Sequence, residues 1–558
     1  MLLLLMACEP VSIDVPSPED THTETSAPDD LWGASVYEPF RLLEVDVQLD
    51  PDDWEVARNQ SRNILDLLAG EDCLAEPFES PYTWFDARVT LDGQDFDEVR
   101  VRKKGLLGSV EPGRPSLKLR LDKTQTDAHF EDVTRFTLNN NRQDASRLKT
   151  CMGYEILARS GVAAPRCSLA HVTVNGEDLG LYSNVEPIAA PLLARNFGGD
   201  GQNDLFEVTL SDFRPDWVGS FQDKTGDSDR AILQEVTEAL ELDDDDFLVR
   251  IDELVNVEQF MEFWAMEVML GHWDGYNGNT NNTWVYVADD GRLNFIPWGI
   301  DAILVGEYPF GENRPASVVA ASALGSRFYS IASSREQYQA TLQRLLDEVW
   351  DEDALQDHLD GLVDVGGPLA RDDNPAYGDV LGFMEDFVAS RKDILEAELA
   401  IDPTWDEPLR ANPCLQDVGT FEVAFSTTWG SYGTLPTWSS GGGELTLVLG
   451  GQDYPLTHLT SLIGEYDVGQ TVLLVGGTME DGGHVALYVV GPTTAFDEPG
   501  VKAADWDELN SYILADFDGD LANWQTWAWI GGDLNLTESS TVQGTPVTGS
   551  GTFTVWGG

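Results

Sequence analysis

The sequence predicts an α+β chain that ends in a separate all-β, sandwich-like module. Three observations carry that expectation. Short alternating runs dominate from about Tyr37 to Leu121, helical spacing dominates from Ser146 to about Leu399, and near Pro413 the composition turns to Gly, Thr and Trp. In the first region Phe40–Leu49 and Ala87–Leu91 alternate apolar with polar residues, and Asp92-Gly93 supplies a hairpin turn. In the second, Leu254–Met269 and Tyr338–Val349 carry apolar residues at helical intervals and are expected as core helices, with strands at Ala170–Asn175 and Thr283–Ala288. In the third, strands are expected at Phe421–Phe425, Glu444–Leu449, Thr471–Val475, His484–Val490 and Gly551–Trp556, the pattern of a sandwich. The expected domains are therefore 37–400 and 415–558.

The charge narrows the partners. Lys and Arg total 33 against 98 Asp and Glu, a net charge of −65 over 558 residues, so phosphate backbones are repelled and nucleic acid is excluded as a partner. Hydrophobic residues make up 42%, enough to build cores. No apolar run is long enough to span a bilayer. Met1–Cys8 is apolar and resembles a lipoprotein signal ending in a lipidated Cys8, although Met6 stands where a small residue is usual and no basic stretch precedes it. A frayed apolar terminus with a free thiol is the other reading. Residues 9–36 form a Pro-, Thr- and acid-rich tether. The expectation is an exported protein on the bacterial outer membrane or cell surface, touching membrane only through its lipid. Cys73, Cys151, Cys167 and Cys414 have no metal-type spacing; they suggest two disulfides in one of three connectivities, with buried free thiols as the alternative.

The densest chemistry lies in Gly271-His-Trp-Asp-Gly-Tyr-Asn-Gly-Asn-Thr-Asn-Asn-Thr-Trp-Val-Tyr286. Asn and Asp here can be simple turn formers. Yet His272, Asp274 and Asn279 follow the His-x-Asp-x4-Asn spacing of a kinase catalytic loop, in which Asp orients the acceptor hydroxyl and Asn holds a metal. Asp301 brings a second carboxylate at an expected strand end. Amide and carboxylate oxygens are the ligands magnesium takes. In Ser116–Lys123, alternation puts Ser116, Lys118 and Arg120 on one face and Leu117, Leu119 and Leu121 on the other. Asp516-Phe-Asp-Gly-Asp520 lacks the distal Glu of a calcium loop, and Asp243–Asp246 reads as a solvated turn or helix start.

Over roughly Phe40 to Leu399 the chain resembles the CotH kinase family, the spore-coat-protein-H-like atypical protein kinases. The stretches that carry this come in the family's order: Val101–Ser109, Ser116–Lys123, Phe136–Asn141 with Asp144 and Arg147, Val172–Glu186, Val255–Phe260, the Asp274 loop, and Ile296–Asp301. The resemblance implies a kinase-like fold that transfers phosphate from ATP, with magnesium or manganese, to Ser or Thr of secreted or cell-surface proteins. It implies Asp274 as catalytic residue, Asp301 with Asn279 or Asn282 on the metal, and Arg102, Gly105, Ser109 and Lys118 around the phosphates. Glu186 is implied as the ion-pair partner that orients Lys118, with a plain surface carboxylate as the alternative.

Two departures accompany the resemblance. Gly299 stands where the family has the first Asp of Trp-Asp-x-Asp, and Glu207 where a Lys is common. If Asp301 lies on a strand it can replace the missing carboxylate, because residues i and i+2 share a face. If the lost carboxylate is what limits activity, Gly299→Asp is expected to raise it. The competing expectation is a surface scaffold or binding lipoprotein whose kinase-like cleft is inert.

Overall fold

The structure, a computed structural model, describes residues 32–106, 111–124, 127–226, 228–305, 314–371, 376–432, 441–467, 469–504, 509–516 and 525–557. Cys8, Ser109 and the end of the Asp516–Asp520 motif lie outside these residues. The chain divides into two compact units: Tyr82–Arg410 with the residues before Gln60, and Gln60–Pro81 with the residues from Ala411 onward.

The first unit opens with a barrel. Its elements are β1 (Leu42–Leu49), α1 (Pro51–Asn59), β2 (Phe85–Leu91), β3 (Gln94–Lys104), β4 (Ser116–Arg120), β5 (Arg135–Asn139), β6 (Cys167–Val174) and β7 (Glu177–Val185), with α2 (Ile64–Leu68) falling in the other unit. The strand order β1-β2-β3-β4-β5-β7-β6 closes by parallel pairing of β1 with β6. Asp92 and Gly93, at φ 44° and 83°, make the two-residue turn between β2 and β3; both positions need the left-handed region that Asp and Gly tolerate. Alternation sends Val99, Val101, Leu117, Leu119, Phe136 and Leu138 into a dry interior. Arg102, Lys104 and Lys118 face outward. Lys103 belongs to the inner set, and its Nζ donates to the Arg58 carbonyl at the end of α1 (2.7 Å).

A helical core follows the barrel. It comprises α3 (Lys149–Ser160), α4 (Ala190–Phe197), α5 (Ala231–Ala239), α6 (Asp244–Leu254), α7 (Val257–Leu270), the single turn α8 (Tyr276–Asn279), α9 (Ala323–Ser330), α10 (Ala332–Val349), α11 (Glu352–Arg371) and α12 (Tyr377–Leu399). Among them lies a four-stranded sheet of β8 (Leu205–Val208), β9 (Gln222–Asp223), β10 (Thr283–Val287) and β11 (Leu293–Pro297), in the order β11-β10-β8-β9. Trp264 of α7 stacks on Tyr338 of α10 at 4.0 Å, at the centre of the core both helices were expected to enter. Asp243 is the N-cap of α6, accepting from the Asp246 amide, so the acidic run is a helix start. Cys151 and Cys167 form a disulfide joining α3 to β6.

In the second unit a ten-stranded antiparallel sheet spans Gln416–Gly557. It is one continuous sheet rather than two separately paired layers. It rolls over one core of Phe421, Phe425, Ile463, Leu487, Ile513 and Phe553, and a bridge between Trp429 and Ile463 ties distant strands together. Segment 60–81 belongs to this unit, not to the barrel that surrounds it in sequence. Gly70 N donates to Leu415 O (2.8 Å), Leu415 N to Leu68 O (2.6 Å), and the Cys73–Cys414 disulfide fastens the pair.

Candidate functional site

The Asp274 loop begins where α7 ends. Arg391 of α12 donates to the Val268 and Met269 carbonyls (2.5 and 3.2 Å), satisfying the C-terminal turn of α7 from which the loop departs. Glu267, in the same turn, reaches forward and accepts from the Tyr276 amide (2.7 Å), the Asn277 amide (3.0 Å) and the Asn277 side chain (2.8 Å). It caps α8 from outside. A Cβ at Gly275 would stand 2.1 Å from Glu267 Oε1, so only glycine lets the loop pass over this carboxylate. Burial pushes Glu267 up to about 7.

Asp274 is the focus of the loop. Its Oδ1 accepts from Asn279 Nδ2 (2.7 Å) and Asn281 Nδ2 (3.2 Å), and its Oδ2 from Asn282 Nδ2 (2.7 Å). Three neutral amides thus fix one buried carboxylate in place. Burial raises its pKa, and the three amides and Arg410 offset part of that rise. His272 is buried and pushed down to about 3 by that burial, so it stays neutral beside the loop.

Asp301 follows β11 in a turn rather than on the strand itself, so the i, i+2 argument from Gly299 fails. Burial raises Asp301 to about 6, with Asp274 and Asp144 adding to the rise. Gly299 has φ +56°, and a Cβ there would stand 2.4 Å from Asn282 Oδ1. The missing aspartate therefore cannot simply be restored: Gly299→Asp would be strained and would strike the amide that holds Asp274. Asn279 is already engaged at both ends of its amide. Its Oδ1 accepts from Arg410 Nε (2.6 Å) while its Nδ2 serves Asp274. An arginine nitrogen can only donate, which fixes the orientation of that amide. Asn282 Nδ2 turns to Asp274, and its backbone carbonyl accepts from Trp298 N (2.9 Å).

A cluster of half-buried cations on the barrel reaches the field of Asp301 through Lys104. Arg102 and Lys118 are register partners on β3 and β4, and Lys104 lies two residues from Arg102 on the same face. Burial lowers Lys118 to about 7, with Arg102 and Lys224 pressing it further down and Glu207 partly offsetting them. Burial lowers Lys104 to about 8 against the pull of Asp301 and Glu207, and its Nζ donates to Asn139 Oδ1. Glu207, opposite Trp284 in the β8–β10 pairing, bonds Lys224 at 2.5 Å. Burial would raise it, but Lys224, Lys118 and Lys104 together lower it. Three indoles back the cations: Trp84 under Arg102 (4.7 Å), Trp298 by Lys104 (5.6 Å) and Trp284 by Lys224 (5.2 Å).

Glu186 departs from its expected role. Both its oxygens are held by Arg166 (2.9 and 3.1 Å) and Arg195 (2.6 and 2.7 Å), and it is fully buried in that pair of forks. The carboxylate whose charge acts on Lys118 is Glu207. Arg120, on the same face as Lys118, pairs with Asp122 at 2.7 Å. Gly105 directly follows β3 with φ +129°. Lys104 was visible in sequence by its two-residue offset from Arg102. Lys224, Glu267 and Arg410 carried no local signal.

Magnesium keeps several waters and takes few protein oxygens. Among the described residues no three His, Cys, Asp or Glu side chains converge as metal ligands. Asp301, whose pKa the Asp274 charge helps to raise, is the carboxylate that would hold magnesium, since a dication relieves that repulsion. A magnesium ion there would draw its remaining ligands from water and phosphate.

These features define an α+β domain in which half-buried barrel cations lie in the field of the carboxylates Glu207 and Asp301. The chain belongs to the family described as CotH kinase protein, which matches residues 101–395. It is similar to the inner spore coat protein H of Bacillus subtilis, 23% identical over 237 residues, which cover 40% of this chain and 64% of that protein. It is also similar to the invasin CotH2 of Rhizopus delemar, 20% identical over 218 residues, covering 33% and 37%. The chain therefore spans less than two thirds of either relative.

Proposed function

We propose that this chain transfers the terminal phosphoryl group of ATP, with magnesium or manganese, to Ser or Thr hydroxyls of secreted or cell-surface proteins. The observation that carries the reading is the gathering of Lys104, Lys118 and Arg102 on one barrel face, with Lys104 in the field of Asp301 and Asp301 in that of Asp274. Buried lysines without full compensation favour a polyanion, and catalysis of phosphoryl transfer is mainly positioning plus charge stabilisation. Asp274 would orient the acceptor hydroxyl, Asp301 would hold the metal, and the lysines would take the phosphates. Two disulfides and the surface-associated names of the relatives support an oxidising, extracytoplasmic setting, with Cys8 as the proposed lipid anchor.

A second reading rests on Glu207. A resident carboxylate already offsets part of the lysine charge, as it would in an inert scaffold. Thermal denaturation with magnesium–ATP separates the two, since a ligand at 100 times its dissociation constant adds about 2.7 kcal/mol. Labelled-phosphate transfer to a surface extract then tests the reaction. No stabilisation and no transfer would leave the scaffold reading standing.

A further inference from the structure

Arg410 lies beyond the family match, 131 residues along the chain from Asn279. It reaches the Asp274 loop because the strap after α12 is pinned to the helical core. Tyr329 Oη donates to Pro403 O (2.6 Å), and Arg314 pairs with Glu407 (3.1 Å) while lying over the Trp405 ring (5.3 Å). Arg410 N donates to Ala321 O (2.8 Å), and Arg214 Nη2 donates to Arg410 O (2.9 Å). Both backbone polar groups of Arg410 are thus fixed, and its guanidinium is delivered to Asn279.

What Arg410 does there follows from the chemistry of an amide. Asn279 is buried, and its two ends differ only in which donates. Turned one way, Nδ2 serves Asp274; turned the other, Oδ1 would face a carboxylate oxygen. The Arg410 Nε can only donate, so it accepts only the first orientation. We propose that Arg410 is a positioning residue of the Asp274 loop, locking Asn279 so that the Asn279–Asn281–Asn282 cradle holds Asp274. The strap 401–410, outside the family's matched region, is then a working part of the site.

The proposal rests on the phosphotransfer reading only for its kinetic consequence, so the test has two arms. Full-length Arg410→Ala, Arg410→Lys and Glu407→Gln are compared with wild type. In the first arm, hydrogen exchange is followed in peptides covering 271–283. Arg410→Ala should lose protection there and keep it in the barrel and in α7. Arg410→Lys, which retains a donor, should recover most of it. Glu407→Gln removes one outlying ion pair and leaves the bonds to Ala321, Arg214 and Tyr329 that hold the strap, so it should match wild type. In the second arm, Arg410→Ala should lower kcat for phosphate transfer about 10²-fold, the scale of a misplaced reacting group, with KM for ATP unchanged. Millimolar guanidinium should restore part of that loss. Wild-type exchange in Arg410→Ala, or equal loosening in Glu407→Gln, would overturn the proposal. If wild type transfers no phosphate, the phosphotransfer reading fails, and the exchange arm still decides the role of Arg410.

Discussion

Strands β3 and β4 carry two populations of side chains, and the contrast between them separates stability from function. Facing inward, Val99, Val101, Leu117 and Leu119 fill the barrel, each at most 1% exposed. Facing outward, Arg102, Lys104 and Lys118 are cations held in partial burial at a cost. Lys103 makes the contrast sharp. It too is lowered to about 8 by burial, yet it sits on the inner face and spends its ammonium on the Arg58 carbonyl. Lys118, one strand over and outward, has been lowered to about 7 with Glu207 as its main offset. Burial of a lysine alone therefore says little; what marks the outward set is that its neighbours are further cations and the site carboxylates.

The comparison can be broken from either side. The largest effect is expected at the Asp274 loop. Asp274→Asn keeps volume and removes charge, and should cut phosphate transfer by about 10²–10⁴-fold, the range for a positioned base, measured on protein shown to be folded. Equal rates for the two proteins would remove Asp274 from the chemistry. On the inward face, Leu119→Ala should destabilise the first unit by about 2–5 kcal/mol by leaving a cavity, read by denaturant unfolding. Lys118→Met, its outward neighbour, should do the opposite. It should weaken magnesium–ATP binding about 10–100-fold, since hydrogen bonds to charged groups are worth about 1.5–3 kcal/mol, without loss of stability.

The Cys73–Cys414 pair tests the second unit in isolation from the barrel. Cys73→Ser with Cys414→Ser should cost that unit about 2–5 kcal/mol and leave phosphate transfer unchanged. The smallest effect sharpens the lysine comparison by pH. Lys118 loses its proton near pH 7 in the folded chain and near 10.5 when unfolded. Between those values the unfolded state binds more protons, so this group makes stability rise with pH. In Lys118→Met that part of the rise should vanish, as followed by melting temperature from pH 7 to 10. Over the same range, wild-type affinity for ATP should fall as the ammonium is lost.

Local rules brought much of this protein within reach of its sequence. Period-two alternation in Ser116–Leu121 set Leu117, Leu119 and Leu121 inside the barrel and Lys118 outside, and Asp92-Gly93 closed its hairpin as that dipeptide should. Helical spacing located α7 and α10, because a 3.6-residue repeat of large apolar groups has one place to go. The Asp274 loop stood out because amides, carboxylate and glycines were dense in a short span.

What the sequence could not decide were the pairings across distance. Glu186 and Glu207 are both carboxylates near strand ends, and only the packing of α4 and of β9 assigned one to Arg166 and Arg195 and the other to the lysines. Gly299 looked like a lost ligand until its positive φ and its contact with Asn282 made it a steric requirement. Segment 60–81 joined the second unit through a disulfide that no spacing in the sequence could single out. Arg410 met Asn279 only because a strap folded back. Alternation and helical repeat act between neighbours in sequence and can be read along a line. The partner of a buried charge is set by which elements pack together, and that is a property of the closed fold.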